Sequence, residues 1–62
     1  MTLKELKKGA LFTLKPFTGE PKESLIWVKG EYDRASKTYN VYKWEDTNHE
    51  SNRKASLTVY EV

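Results

Sequence analysis

Sixty-two residues provide for one domain, residues 1–62, and leave no room for a second. The chain has no cysteine, which excludes a disulfide framework and any cysteine-based zinc site as a supplement to a small core. Eleven Lys and Arg against nine Asp and Glu leave a net charge of +2, a balance that permits nucleic acid or acidic partners and demands neither.

A domain of this size buries only about 60% of the surface its unfolded chain exposes, so its core depends on a few large side chains. Phe12, Phe17, Trp27, Tyr32, Tyr39, Tyr42, Trp44 and Tyr60 are the main apolar resource. No apolar run approaches the roughly 18–20 residues that cross a bilayer. Met1-Thr2-Leu3-Lys4-Glu5-Leu6 also lacks the apolar centre of a signal peptide, so a cytoplasmic setting is expected.

The first nine residues read as a short helix. Thr2 and Glu5 have capping-box spacing, Lys7 and Lys8 suit the negative end of the helix dipole, and Gly9 sits where a left-handed residue ends a helix. So short a helix does not hold alone in water, so Leu3 and Leu6 must pack on something. Ala10 to Lys15 alternates Phe12 with Leu14 and reads as a first strand ended by Pro16. Lys15 to Ser24, with Pro16, Gly19 and Pro21, reads as a loop.

Leu25 to Tyr32 and Thr38 to Trp44 are rich in β-branched and aromatic residues, and the polar Asp33-Arg34-Ala35-Ser36-Lys37 separates them. This pattern predicts a long hairpin. Pairing Tyr32 with Tyr39 and continuing unbroken would set Val28 against Lys43 and Ile26 against Glu45. An extra residue at Gly30, read as a β-bulge, sets Val28 against Tyr42 and Ile26 against Trp44 instead, giving one apolar face. Trp27, Lys29, Val41 and Lys43 are then expected on the opposite, outer face. Glu45 to Ser56 is polar except for Ala55 and reads as a long loop with a helical turn near Asn48. Leu57 to Val62 alternates again and reads as the final strand, with Leu57 and Val59 inward. These elements predict a mainly β domain, a small antiparallel SH3-like partial barrel of four to five strands with a short N-terminal helix. An OB-like barrel or an open α+β roll is the second choice.

Lys7-Lys8-Gly9, Phe12-Thr13-Leu14-Lys15-Pro16, Trp27-Val28-Lys29-Gly30-Glu31-Tyr32-Asp33-Arg34, Ser36-Lys37-Thr38-Tyr39 and Asn48-His49-Glu50 resemble a group of small proteins from gut Bacteroidetes. The likeness covers roughly residues 4 to 50, and Gly-Glu-Tyr-Asp-Arg is its most specific part. It implies an SH3-like or related small β-barrel and no particular biochemical role. After Glu50 the chain departs from that pattern with a shorter, less aromatic tail, which leaves an engineered relative as one reading.

The lone histidine, His49, lies in Asp46-Thr47-Asn48-His49-Glu50, where Asp46, His49 and Glu50 offer a metal too few nitrogen or sulfur ligands for a closed site. A solvated loop with local Asx hydrogen bonds is the expectation, and no metal or cofactor is implied. Ser24, Ser36, Ser51 and Ser56 have no basic partner other than His49, and the chain carries no G-x-S-x-G, P-loop or H-E-x-x-H pattern, so no enzyme is expected. Asp33 is expected to serve the hairpin turn by accepting backbone N–H groups.

One constellation carries a mechanism. Trp27, Lys29 and Lys43 on the outer face, with Arg34 and Lys37 at the hairpin tip, make a candidate binding surface. A base could stack on Trp27 with its phosphates held by the lysines. Against this, Trp27 could be the apolar floor that Leu3 and Leu6 need. The sequence therefore supports a non-enzymatic binding module for a protein partner first. Single-stranded nucleic-acid binding through the hairpin face is the alternative, and a structural or engineered scaffold without a natural ligand is a third reading.

Overall fold

The computed structural model describes residues 1–62. Five antiparallel strands form one sheet: β1 (Leu11–Thr13), β2 (Trp27–Asp33), β3 (Thr38–Lys43), β4 (Glu50–Lys54) and β5 (Tyr60–Glu61), in the order β4-β3-β2-β1-β5. The sheet does not close, so β4 and β5 are both edges and the expected partial barrel is an open sheet. No helix is long and apolar enough to cross a membrane.

The hairpin of β2 and β3 has the bulged register. Trp27 pairs with Lys43, Val28 with Tyr42 and Lys29 with Val41. The register then shifts between Lys29 and Tyr32, after which Tyr32 pairs with Tyr39. Beyond the strand, the Trp44 N–H donates to the Ile26 carbonyl at 3.0 Å, as the bulge requires. Gly30 sits at the shift because a Cβ there would meet the Asn40 carbonyl oxygen at 2.8 Å. In the turn, the Asp33 carboxylate accepts from the Ala35 N–H and the Ser36 hydroxyl, each at 3.0 Å. Lys37 ends the turn in the left-handed region, at φ 57.

The expected N-terminal helix is only a 3₁₀ turn, Leu3–Glu5. Its start is as expected: the Glu5 carboxylate accepts from the Thr2 N–H at 2.8 Å and the Thr2 hydroxyl at 2.9 Å. These bonds pull the Glu5 carboxyl below its ordinary value. The helix does not continue because Leu6 is extended, at φ −76 and ψ 149. The carbonyls of Lys4 and Leu6, which a longer helix would direct to later N–H groups, face the Lys29 ammonium instead. Gly9 is left-handed, at φ 87, but in a turn closed by the Ala10 N–H on the Lys7 carbonyl.

The first ten residues therefore act as a strap. Leu3 and Lys4 donate to the carbonyls of Leu57 and Ala55, Val59 donates to that of Met1, and Gly9 donates to that of Lys29. Leu3 and Leu6 complete a buried cluster with Phe12, Trp27, Val41 and Val59, against which Ala10, Leu14, Tyr39 and Leu57 pack. Val59 is thus fully inward and Leu57 partly so, although the last strand contracts to Tyr60–Glu61.

The tail holds the largest departure from the sequence reading. Glu50–Lys54, expected as loop, is a strand paired with β3 from Thr38↔Lys54 to Tyr42↔Glu50. Half-buried Ser51 and Arg53 alternate with exposed Glu50, Asn52 and Lys54. An edge strand with one half-covered face needs no apolar alternation, because pairing with β3 supplies its backbone bonds. The expected turn near Asn48 is present as an Asx turn. The Asp46 carboxylate accepts from the Asn48 N–H at 3.2 Å, and its carbonyl accepts from the His49 N–H at 3.0 Å.

Candidate functional site

The bulge pairs the hairpin residues as expected, but the face carrying Trp27 and Lys29 is covered. Trp27 is 7% exposed and Lys29 only 5%, both beneath the strap, so the outward stacking platform is not formed. The physical reason is the demand of Leu3 and Leu6 for an apolar floor, which the Trp27, Val41 and Phe12 side of the sheet meets. On the other side Ile26 and Val28 are buried too, but the cover thins at the Trp44 end: Leu11, Ile26, Trp44 and Val62 line a shallow groove with Glu20, Pro21 and Glu23, and Trp44 is 45% exposed.

Lys29 is committed to the interior. Its ammonium donates to the Leu6 carbonyl, lies 3.4 Å from the Lys4 carbonyl oxygen, and stands 4.2 Å from the centre of the Tyr39 ring. Burial pushes its pKa below the ordinary 10.5, because no carboxylate accompanies the charge. Main-chain carbonyls and the ring face replace the water it loses. Arg34 and Lys37 stay exposed at the hairpin tip, separate from Trp27 and Lys29.

Lys43 is the member of the expected set that remains near the surface in a defined geometry. Its ammonium donates to the Ser24 carbonyl at 2.5 Å and stands 4.9 Å from the centre of the Trp27 ring. The His49 ring meets the same indole edge-on, with centroids 5.8 Å apart. No group of three or more His, Cys, Asp or Glu side chains is placed to hold a metal.

Lys43 and the edge of Trp27 form one wall of a cleft of about 270 Å³. The chain after β1 forms the rest, with Leu14, Lys15, Pro16, Phe17, Pro21 and Leu25. Pro16 ends β1, and the Thr13 hydroxyl bonds the Lys15 carbonyl at 2.7 Å, turning the chain away from the sheet. A short 3₁₀ turn, Glu23–Leu25, returns it to β2 and leaves Leu25 51% exposed at the rim. The lining contains two lysines and no carboxylate. By sequence alone, residues 15–24 are only a connection. Phe17 and Leu25, apolar residues at a Pro- and Gly-rich loop with no strand periodicity, were the available signal. Compared with known proteins, the chain matches no family model, no curated protein and no solved structure.

Proposed function

We propose that the chain is a small, SH3-like, non-enzymatic binding module that takes a short extended segment of a protein partner. The observation that carries this reading is the cleft between the Leu14–Leu25 chain and the Trp27–Lys43 pair. It is concave and mainly apolar, with two prolines and two aromatic rings in its walls. Its polar groups are few, and Lys43 is already oriented by the Ser24 carbonyl. Such a surface suits an extended peptide that inserts an apolar or proline side chain and places a carboxylate beside Lys15 and Lys43. A three-stranded meander with a long loop between β1 and β2 supports the SH3-like assignment. Nucleic acid is the weaker reading, because Trp27 and Lys29, which it would use, are covered.

The test is a titration of the labelled protein with extended peptides that combine proline, an aromatic residue and an acidic residue, followed by NMR. Shifts confined to Leu14–Phe17, Leu25, Lys43 and the Trp27 indole N–H are expected. Phe17→Ala and Lys43→Glu should each weaken binding about tenfold, or about 1.4 kcal/mol. Shifts centred elsewhere, or an oligonucleotide that binds while no peptide does, would overturn this assignment.

A further inference from the structure

β4 is the longer open edge of the sheet, and its sequence is complementary to itself. Hydrogen-bond parity follows from the Lys43 N–H donating to the His49 carbonyl, which marks that pair as bonded. Alternation along the ladder then makes Val41–Ser51 and Tyr39–Arg53 bonded pairs and directs the N–H and C=O of Glu50 and Asn52 and the N–H of Lys54 to the open side, while the Lys54 carbonyl accepts from the Leu57 N–H at 3.1 Å. The side chains of these three residues are exposed as well.

We propose that this edge pairs with β4 of a second copy of the chain, antiparallel about a two-fold axis through Asn52. In this register Asn52 faces Asn52, and Glu50 of each copy faces Lys54 of the other. The Asn52 pair exchanges two hydrogen bonds, and each Glu50–Lys54 pair gains one from the free Lys54 N–H to the Glu50 carbonyl. Sliding the register by one residue sets free backbone groups against groups already bonded to β3. Longer slips that restore parity lose bonded pairs, and at the extremes they set Glu50 against Glu50 or Lys54 against Lys54. Charge and parity therefore select one register.

Two observations support this occupant. The one ion pair within the chain joins Lys8 and Glu31, so Glu50 and Lys54 have no ionic partner in their own molecule. The Nε of Arg53 is buried without a hydrogen-bond partner, and in the paired register Arg53 comes opposite Ser51 of the second copy. A contact of one strand on each side is small, so the association is weak and reversible. It leaves the Trp27–Lys43 cleft open.

Sedimentation equilibrium from about 10 μM to about 1 mM should show a monomer–dimer equilibrium. Glu50→Lys and Lys54→Glu should each raise the dissociation constant about tenfold by setting like charges opposite each other. The double variant should return to within about threefold of the parent, because its pairs are opposite again. Asn52→Pro removes only an outward N–H, so it should keep the parent's thermal midpoint and sediment as a monomer. A parent that stays monomeric throughout the range would overturn the proposal. So would a dimer that withstands both reversals, or a double variant that is no better than the singles.

Discussion

The two faces of the β2–β3 hairpin carry similar side chains and meet different fates. Trp27 and Val41 lie under the N-terminal strap within the buried cluster, whereas on the other face Ile26 and Val28 are buried but Tyr42 is half-buried and Trp44 is 45% exposed. Both faces alternate correctly, and both are apolar enough to be a core. The difference comes from a segment more than twenty residues away in the chain: Leu3 and Leu6 have one surface to cover, and the strap's backbone bonds to Leu57, Ala55 and Lys29 bring them to the Trp27 side. Coverage of a sheet face is thus decided by which other element must hide its own apolar residues there.

The two tryptophans give the largest test of that contrast. Trp27→Ala should cost about 3–5 kcal/mol in urea unfolding, enough to unfold much of so small a domain, because it removes a buried ring from the centre of the cluster. Trp44→Ala should change stability by less than about 1 kcal/mol. Equal losses would mean that the exposed face is as well packed as the strapped one.

The bulge determines which residues share a face, so Gly30→Ala comes next. The added methyl meets the Asn40 carbonyl at 2.8 Å, and a loss of about 1–3 kcal/mol in thermal unfolding is expected. A neutral result would show that β3 yields at this point without disturbing the pairing.

The smallest effect is linked to pH and sharpens the contrast at the strap itself. Lys29 has a folded pKa below its ordinary 10.5, so between those two values the unfolded chain holds a proton that the folded chain has released. Stability contributed by this group therefore rises as pH increases through that window, while below it the full cost of burying the charge persists. Subtracting the urea-derived pH curve of Lys29→Met from that of the parent isolates this term. A flat difference, or one that falls with rising pH, would place the ammonium in water rather than under the strap.

Several features were legible before any tertiary structure, because each is a local instruction. Gly30 as a bulge, Asp33 as the turn's acceptor, Thr2 with Glu5 at the first turn and the inward Val59 all rest on contacts within a few residues or on strict alternation. The extent of the N-terminal helix was not legible, since Lys29 lies far along the chain from the carbonyls it takes. Nor was β4, whose alternation of half-buried Ser51 and Arg53 with exposed neighbours leaves no mark in hydropathy. The cleft was hidden for a related reason, as loop residues acquire a shared wall only when the loop folds back on Trp27 and Lys43.

The sequence by itself determined a mainly β chain, the position and register of its central hairpin, and the absence of cysteine chemistry, because strand periodicity, turn chemistry and composition act locally. Tertiary structure alone decided which hairpin face became the core, that Lys29 would be an interior cation and Lys43 a surface one, and that the polar tail would become an edge strand. Those outcomes depend on contacts between segments far apart in the chain, where the need to cover apolar surface and to pair backbone groups overrides what each residue prefers alone.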